Sequence, residues 1–127
     1  MPEYDAARFE PPAPLAQVTL RNPASGATWP DALMLLDSGA DVSLIPQAII
    51  KSLRVETVPG RRYELIGFDG GTSFAAVVQL ELSFARRTFR GQFLIIEQEW
   101  GILGRNILNA VPLLLDGPNL RWEEDGS

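Results

Sequence analysis

An apolar run leads straight into a carboxylate and a tight turn in Leu33-Met34-Leu35-Leu36-Asp37-Ser38-Gly39-Ala40-Asp41. Four consecutive large apolar residues predict a strand that is buried on both faces, because a half-exposed strand would alternate. Asp37 is therefore expected at the edge of a core, where a carboxylate needs hydrogen-bond donors or a shared proton to offset its lost hydration. Ser38 and Gly39 suit such a site, since serine offers a hydroxyl and glycine lets the backbone approach closely.

A second motif lies far downstream, in Gly101-Ile102-Leu103-Gly104-Arg105-Asn106-Ile107-Leu108. An isolated Asp-Ser-Gly is most often a surface turn, but here it is followed by this partner motif in a fixed order. The two stretches, LLDSGADVSLIP and GILGRNILN, together resemble the retropepsin-like (retroviral-type) aspartic proteases. The resemblance covers about residues 18–115 and is greatest to small bacterial members, with their Leu-Leu-Leu-Asp-Gly-Pro ending at 113–118.

Length and composition indicate one globular domain. The chain has 127 residues, of which 46% are hydrophobic and 21% charged, so disorder of the whole chain is not expected. A net charge of -5, with arginines in isolated pairs, argues against a nucleic-acid partner. No leader-like segment opens the sequence, and no run approaches the roughly 20 apolar residues of a spanning helix. We therefore expect a soluble, cytoplasmic protein without a membrane partner.

The chain contains neither cysteine nor histidine. Serine triads, cysteine dyads and typical zinc hydrolase sites are thereby excluded, because each depends on one of these residues. Acid–base chemistry at moderate pH is left chiefly to carboxylates. We expect no cofactor and no metal. A hard-cation site built from Asp37 and Asp41 would be weak without a further acidic cluster.

Alternating segments and dense turn formers predict a mostly β fold, a small closed barrel with one or two short helices. The resemblance implies that this barrel is of the retropepsin type. We predict a flexible, proline-rich arm at 1–14, a single domain at 15–122 and a frayed polar tail at 123–127. Within the domain, predicted strands cover 15–20, 32–37, 42–45, 55–58, 62–66, 74–84, 87–96, 113–115 and 119–122, and predicted helices cover 46–53 and 106–110.

An aspartic protease needs two aspartates that share a proton, and this chain has one Asp-Ser-Gly. The resemblance therefore implies a symmetric homodimer, with Asp37 from each subunit meeting at the two-fold axis. It also implies catalytic roles for Asp37, Ser38 and Gly39, with Ser38 bridging to the partner subunit. An arginine among apolar residues needs a carboxylate partner, so we expect Arg105 to form a structural ion pair with Asp41, as the matching residues do in the family.

A peptide or protein substrate would lie extended between the catalytic turn and a glycine-tipped hairpin, which the resemblance identifies as a mobile flap. Placement near the two motifs makes a set of residues candidates for substrate binding. They are Ala40, Asp41, Ile45, Ile66, Gly67, Phe68, Asp69, Gly70, Gly71, Trp100 and Ile102.

Two functions remain open on the sequence alone. The first is an aspartic endopeptidase that uses two Asp37 carboxylates, and the second is a dimeric peptide-binding module of the same fold that does not cleave. The intact Asp37-Ser38-Gly39 favours the enzyme, because a binding module has no need of an uncompensated carboxylate pair. How the terminal 113–122 segment pairs, between subunits or as a hairpin within one, also stays open.

Overall fold

The computed structural model describes residues 2–66 and 70–125, with the exception of the side chains of Tyr63, Ile66, Ser73 and Phe74. The strands are β1 (Tyr4–Asp5), β2 (Ala13–Arg21), β3 (Thr28–Leu36), β4 (Leu44–Pro46), β5 (Thr57–Ile66), β6 (Thr72–Phe84), β7 (Arg87–Ile96), β8 (Gly101–Leu103), β9 (Leu113–Asp116) and β10 (Arg121–Glu124). The helices are α1 (Gln47–Leu53) and α2 (Arg105–Leu108).

Six strands close into a barrel. Their order is β2-β3-β8-β4-β7-β6, and β6 pairs back onto β2 through Leu20 and Leu82. Strand β1 extends the sheet beyond β2, and β5 extends it beyond β6. The predicted fold class, a small closed β-barrel with two short helices, is confirmed.

Alternation builds the barrel core, because successive side chains of a strand point to opposite faces. In β2 and β6, for example, Val18, Leu20, Leu80 and Leu82 are fully buried. The apolar end of β3 departs from our expectation. Of its four apolar residues, Met34 and Leu36 are buried, while Leu33 and Leu35 are half-buried, so β3 has one core face rather than two.

The long hairpin of β5 and β6 contains the predicted flap. Instead of two strands at 55–58 and 62–66, β5 is one strand with a shift in register between Thr57 and Arg62. Gly60 lies within this irregularity and has a φ of 73°, a conformation that costs glycine little. Gly67, Phe68 and Asp69 at the tip lie outside the described residues.

The N-terminal segment has defined contacts in the described chain. Tyr4 and Asp5 pair with Pro14 and Ala13, and the amide of Tyr4 donates to the carbonyl of Leu120 at 2.8 Å. The bond between Tyr4 and Leu120 joins residues more than a hundred positions apart, which no local pattern reveals. The domain bounds stay a prediction, although strand β2 already begins at Ala13.

The C-terminal segment folds back on its own chain. Strands β9 and β10 form an antiparallel hairpin, with Leu115 opposite Trp122. Strand β10 extends to Glu124, so the described part of the predicted tail includes two strand residues. In the single chain, the segment therefore forms a hairpin of its own.

Candidate active site

Asp37 lies immediately after β3, half-buried, with its backbone tied to the second motif. Its amide donates to the carbonyl of Leu103 at 3.1 Å. Its carboxylate oxygen Oδ1 accepts the amide of Gly39 at 3.0 Å, and its carbonyl accepts the amide of Ala40 at 3.1 Å. The amide of Gly39 thus orients the carboxylate, because a hydrogen bond to one carboxylate oxygen restricts rotation of the side chain.

The two sequence motifs meet as parallel neighbours. Strand β8 pairs with β3 in a register that places Leu103 beside Leu36, one residue before Asp37. The amide of Arg105 donates to the carbonyl of Ala40 at 2.8 Å, which continues the connection past the end of the strands. The turn of residues 37–41 is therefore hydrogen-bonded to the second motif at Asp37 and at Ala40.

Gly104 is required where these loops cross. A Cβ at Gly104 would overlap the carbonyl oxygen of Val42 and lie 2.9 Å from that of Ala40. Both contacts are with backbone atoms, which cannot move aside as a flexible side chain can. The glycine is thus needed for close approach of two chain segments rather than for an unusual φ.

Ser43 joins the two motifs from inside the core. Its side chain is 1% exposed, and its hydroxyl accepts the amide of Gly104 at 2.9 Å and donates to Oδ1 of Asn106 at 2.7 Å. The sequence analysis did not single out this residue. The available signal was a serine inside the apolar run Val42–Ile45, since a buried hydroxyl must find partners.

The predicted ion pair between Asp41 and Arg105 does not form within the described chain. Both residues are exposed, and the guanidinium of Arg105 instead donates to the carbonyl of Ser38 at 2.7 Å. The expectation assumed that Arg105 is buried among its apolar neighbours, whereas its side chain reaches the surface and needs no carboxylate. Arg105 still holds the turn of residues 37–41, through its hydrogen bond to the backbone carbonyl of Ser38.

Ile45 is corrected as a substrate-binding residue. It is fully buried in the main core, so no substrate can touch it. Ile45 pairs with Ile95 of β7, and its side chain is on the face of β4 that packs into the main core.

The other predicted substrate residues fall into three groups. Ala40 is half-buried and Asp41 is exposed, and both belong to the turn of residues 37–41. Ile102 is half-buried and packs against a second apolar cluster formed by Leu44, Ala75, Val77 and Leu94. Gly70 and Gly71 are exposed beside the hairpin tip, Gly70 with φ 81°. Gly67, Phe68, Asp69 and the side chain of Ile66 lie outside the described residues.

Trp100 is half-buried and packs on the N-terminal segment. Its ring meets that of Phe9 edge to face, with 4.8 Å between the centroids. Arg8 adds ion pairs with Asp5 at 2.7 Å and Glu99 at 3.5 Å. The backbone amide of Arg8, followed by its guanidinium, holds the pKa of Asp5 below its ordinary value of 3.8.

A cavity of about 290 Å³ is lined by Val42, the residue that follows the turn of residues 37–41. Opposite Val42 it is lined by the exposed Arg61 and Arg62 and by the buried Val77. Val42, Arg61 and Arg62 were not among the predicted substrate residues. The cavity is formed by residues of β5, β6 and β7 together with Val42, which are distant from one another in the sequence. A cavity of about 740 Å³ beside the N-terminal segment contains none of the predicted site residues.

A second groove, of about 250 Å³, lies on the other side of the turn. Ser38 and Leu36 form one wall, and Leu113 and Leu115 of β9 form another. Ser38 is exposed here, so its hydroxyl faces open space in a single chain. The groove thus lies between the turn of residues 37–41 and the C-terminal hairpin.

Comparison with known proteins agrees with this architecture. The chain is similar to the EIAV protease solved in complex with the inhibitor HBY-793, with a TM-score of 0.57 and 25% sequence identity. The match covers 77% of this chain and 86% of the protease. No protein-family model matches the sequence, and no curated protein matches it.

The chain therefore has a retropepsin-like fold, as its two motifs indicated. Among residues 2–66 and 70–125, no helix is both long and apolar enough to cross a membrane. Over the same ranges, no three acidic side chains come together in a way that would hold a metal ion.

Proposed function

We propose that this protein is an aspartic endopeptidase that acts as a symmetric homodimer. The observation that carries the proposal is the position of Asp37, at the end of a barrel strand and hydrogen-bonded through its amide to Leu103. This arrangement lies within a fold similar to that of the EIAV protease. Because the sequence holds a single Asp-Ser-Gly, the second carboxylate comes from Asp37 of the partner subunit.

Two carboxylates within hydrogen-bond distance do not both ionise, so the pair holds one proton between them. The ionised Asp37 accepts a proton from a water molecule, whose oxygen attacks the peptide carbonyl. The neutral Asp37 donates its proton to the carbonyl oxygen, which gives a tetrahedral diol. Collapse of the diol breaks the C–N bond as a proton passes to the leaving nitrogen. The reaction requires no cofactor and no metal.

The residues around Asp37 hold it for this chemistry. Gly39 donates its amide to the carboxylate, and Arg105 fixes the turn through the carbonyl of Ser38. The exposed hydroxyl of Ser38 is free to bridge to the partner's turn. In this proposal, Asp41 lies where it can accept a hydrogen bond from the backbone of an extended peptide.

The substrate is a peptide or protein bound between the turn and the β5–β6 hairpin, which acts as a flap. Ile102 and Trp100 supply apolar walls, and from the sequence we expect Ile66 and Phe68 to add to them. We therefore expect apolar or aromatic side chains beside the cleaved bond. The glycines at 67, 70 and 71 allow the hairpin backbone to move when it closes.

Cleavage of a degenerate peptide library between about pH 4 and 7 tests the proposal, with wild type and Asp37→Asn compared side by side. We expect cleavage by wild type that disappears in Asp37→Asn and in the presence of a statine-type mimic of the diol. Asp31→Asn is the matched control, because it makes the same change at an exposed residue near the end of β3 that is distant from Asp37, and it should leave cleavage intact. A folded, dimeric wild type that binds library peptides without cleaving any would instead indicate a peptide-binding module.

A further inference from the structure

The cavity of about 290 Å³ lies between the two elements that the proposed function places on either side of the substrate. On one side it is lined by Val42, which follows the turn of residues 37–41. On the other side it is lined by Arg61 and Arg62 of β5 and by Val77 of β6, which belong to the β5–β6 hairpin. An extended peptide bound between the turn and the hairpin would therefore pass this cavity.

The cavity is close enough to Asp37 to receive a side chain from near the cleaved bond. The amide of Ala40 donates to the carbonyl of Asp37 at 3.1 Å, which closes a tight turn. The Cα atoms at the two ends of such a turn are less than about 7 Å apart, and each further residue adds at most about 3.8 Å. The Cα atoms of Asp37 and Val42 are therefore at most about 15 Å apart. An extended peptide covers this distance in about five residues or fewer.

The floor of the cavity is apolar. Val77 and Leu94 are each 3% exposed, and both belong to the second apolar cluster. Val42 and Ile102 are half-buried and pack against the same cluster. Because Ile102 is one of the predicted substrate-binding residues, this cluster joins the cavity to the candidate site. Such a floor suits the methylene groups of a long side chain that ends in a polar group.

The rim of the cavity is positively charged. Arg61 and Arg62 are exposed, and Nη1 of Arg61 donates to Oε1 of Gln92 at 2.8 Å. This bond holds the guanidinium beside the cavity, which Gln92 also lines, and it uses one of the five N–H donors. None of the described residues that line the cavity is acidic. Asp41, next in the chain to Val42, is exposed and offsets at most one of the two positive charges.

We propose that this cavity is a substrate subsite that selects an acidic side chain. A carboxylate at the rim accepts charge-assisted hydrogen bonds from Arg61 and Arg62, while its methylene groups lie on the floor formed by Val42, Val77 and Leu94. The inference rests on the proposed aspartic protease function and adds to the apolar preference expected beside the cleaved bond. In a symmetric homodimer the cavity occurs twice, so acidic residues are favoured on both sides of that bond.

Peptides that differ at a single position test the selectivity. A library peptide that wild type cleaves is remade with glutamate, glutamine or lysine at each of the positions up to about five residues from the cleaved bond. The peptides are amidated, so that a terminal carboxylate cannot supply the charge, and are assayed at about pH 6, where glutamate is ionised. At the position that reaches the cavity, we expect kcat/KM to be about five- to tenfold higher for glutamate than for glutamine, and lowest for lysine. Added salt should reduce this preference.

Variants that remove or reverse the two charges test the arginines. Arg61→Gln/Arg62→Gln should abolish the preference for glutamate and leave kcat/KM for the glutamine peptide within about twofold of wild type. Arg61→Glu/Arg62→Glu should reverse the preference, so that lysine is favoured over glutamate. Arg54→Gln/Arg86→Gln is the matched control, because it removes two charges at exposed positions that do not line the cavity, and it should keep the wild-type preference.

These readouts separate the subsite from the activity. Cleavage that depends on Asp37 but is equal for the three peptides would overturn the subsite while the protease stands. A glutamate preference that survives in Arg61→Gln/Arg62→Gln would also overturn it. If no peptide is cleaved, library peptides that bind the dimer are substituted in the same way and their binding is measured by fluorescence anisotropy. Tighter binding of the glutamate peptide, lost in Arg61→Gln/Arg62→Gln, would then support the subsite and count against the protease. Equal binding, or none, would overturn both.

Discussion

Removing the Ser43 hydroxyl should loosen the junction of the two motifs more than any surface change nearby. Ser43→Ala deletes the acceptor for the buried amide of Gly104, at 2.9 Å, and the donor to Oδ1 of Asn106, at 2.7 Å. The two losses are unequal. Asn106 is exposed and can bond to water instead, whereas Gly104 is buried and its amide is left without a partner.

An orphaned buried amide costs about 1–3 kcal/mol, while a hydrogen bond that water can replace contributes about 1 kcal/mol or less. We therefore expect Ser43→Ala to lower the free energy of unfolding by about 1–3 kcal/mol. Asn106→Ala is the matched control. It removes the exposed partner but leaves the amide of Gly104 bonded to Ser43, so its cost should be about 1 kcal/mol or less.

Urea unfolding at a fixed protein concentration measures both changes, since a dimer's stability depends on concentration. The reasoning predicts a lower midpoint for Ser43→Ala than for Asn106→Ala, with an unchanged slope. If the two variants unfold at the same midpoint, or if Ser43→Ala is as stable as wild type, the buried hydroxyl does not hold the motifs together.

Two further predictions follow from the corrected core and from the N-terminal segment. Ile45→Val should lower the free energy of unfolding by about 0.5–1.5 kcal/mol and leave the cleavage preferences in a peptide library unchanged, whereas altered preferences would return Ile45 to the pocket. Asp5→Asn should lower the melting temperature at about pH 6, and this effect should diminish as the pH falls below 3.8 and through the folded pKa of Asp5. The depressed pKa of Asp5 means that its contribution is present above 3.8 and is lost as the pH falls through the folded value. A difference that persists at low pH would contradict this.

Local patterns predicted most of the barrel. The bounds of β7 at 87–96 and of α1 at about 47–53 agree closely with the sequence analysis, because alternation and a proline at a helix start are signals within a few residues. The sequence analysis divided β5 into two strands, at 55–58 and 62–66, which lie on either side of Pro59-Gly60. In the structure the glycine forms an irregularity within one strand.

Features that depend on distant partners were not predicted. The pairing of residues 2–4 with β10 joins the two ends of the chain, and no periodicity encodes it. Arg105 was assigned a carboxylate partner because its neighbours are apolar, yet its exposure lets it bond to a carbonyl instead. Ile45 was predicted to line a substrate pocket because it is close to Asp37 in the sequence. Its side chain is instead on the core-facing side of β4 and is buried.

The central claim is that one active site contains an Asp37 from each of two subunits, and subunit mixing tests it most directly. Wild type and Asp37→Asn are combined at increasing mutant fractions, allowed to exchange, and assayed for peptide cleavage at constant wild-type plus mutant concentration. Random assortment at equal amounts leaves about one quarter of the dimers with two aspartates. We predict that activity falls to about one quarter of that of wild type. A fall to only about one half, in proportion to the wild-type chain, would show that each subunit acts alone and would contradict the dyad.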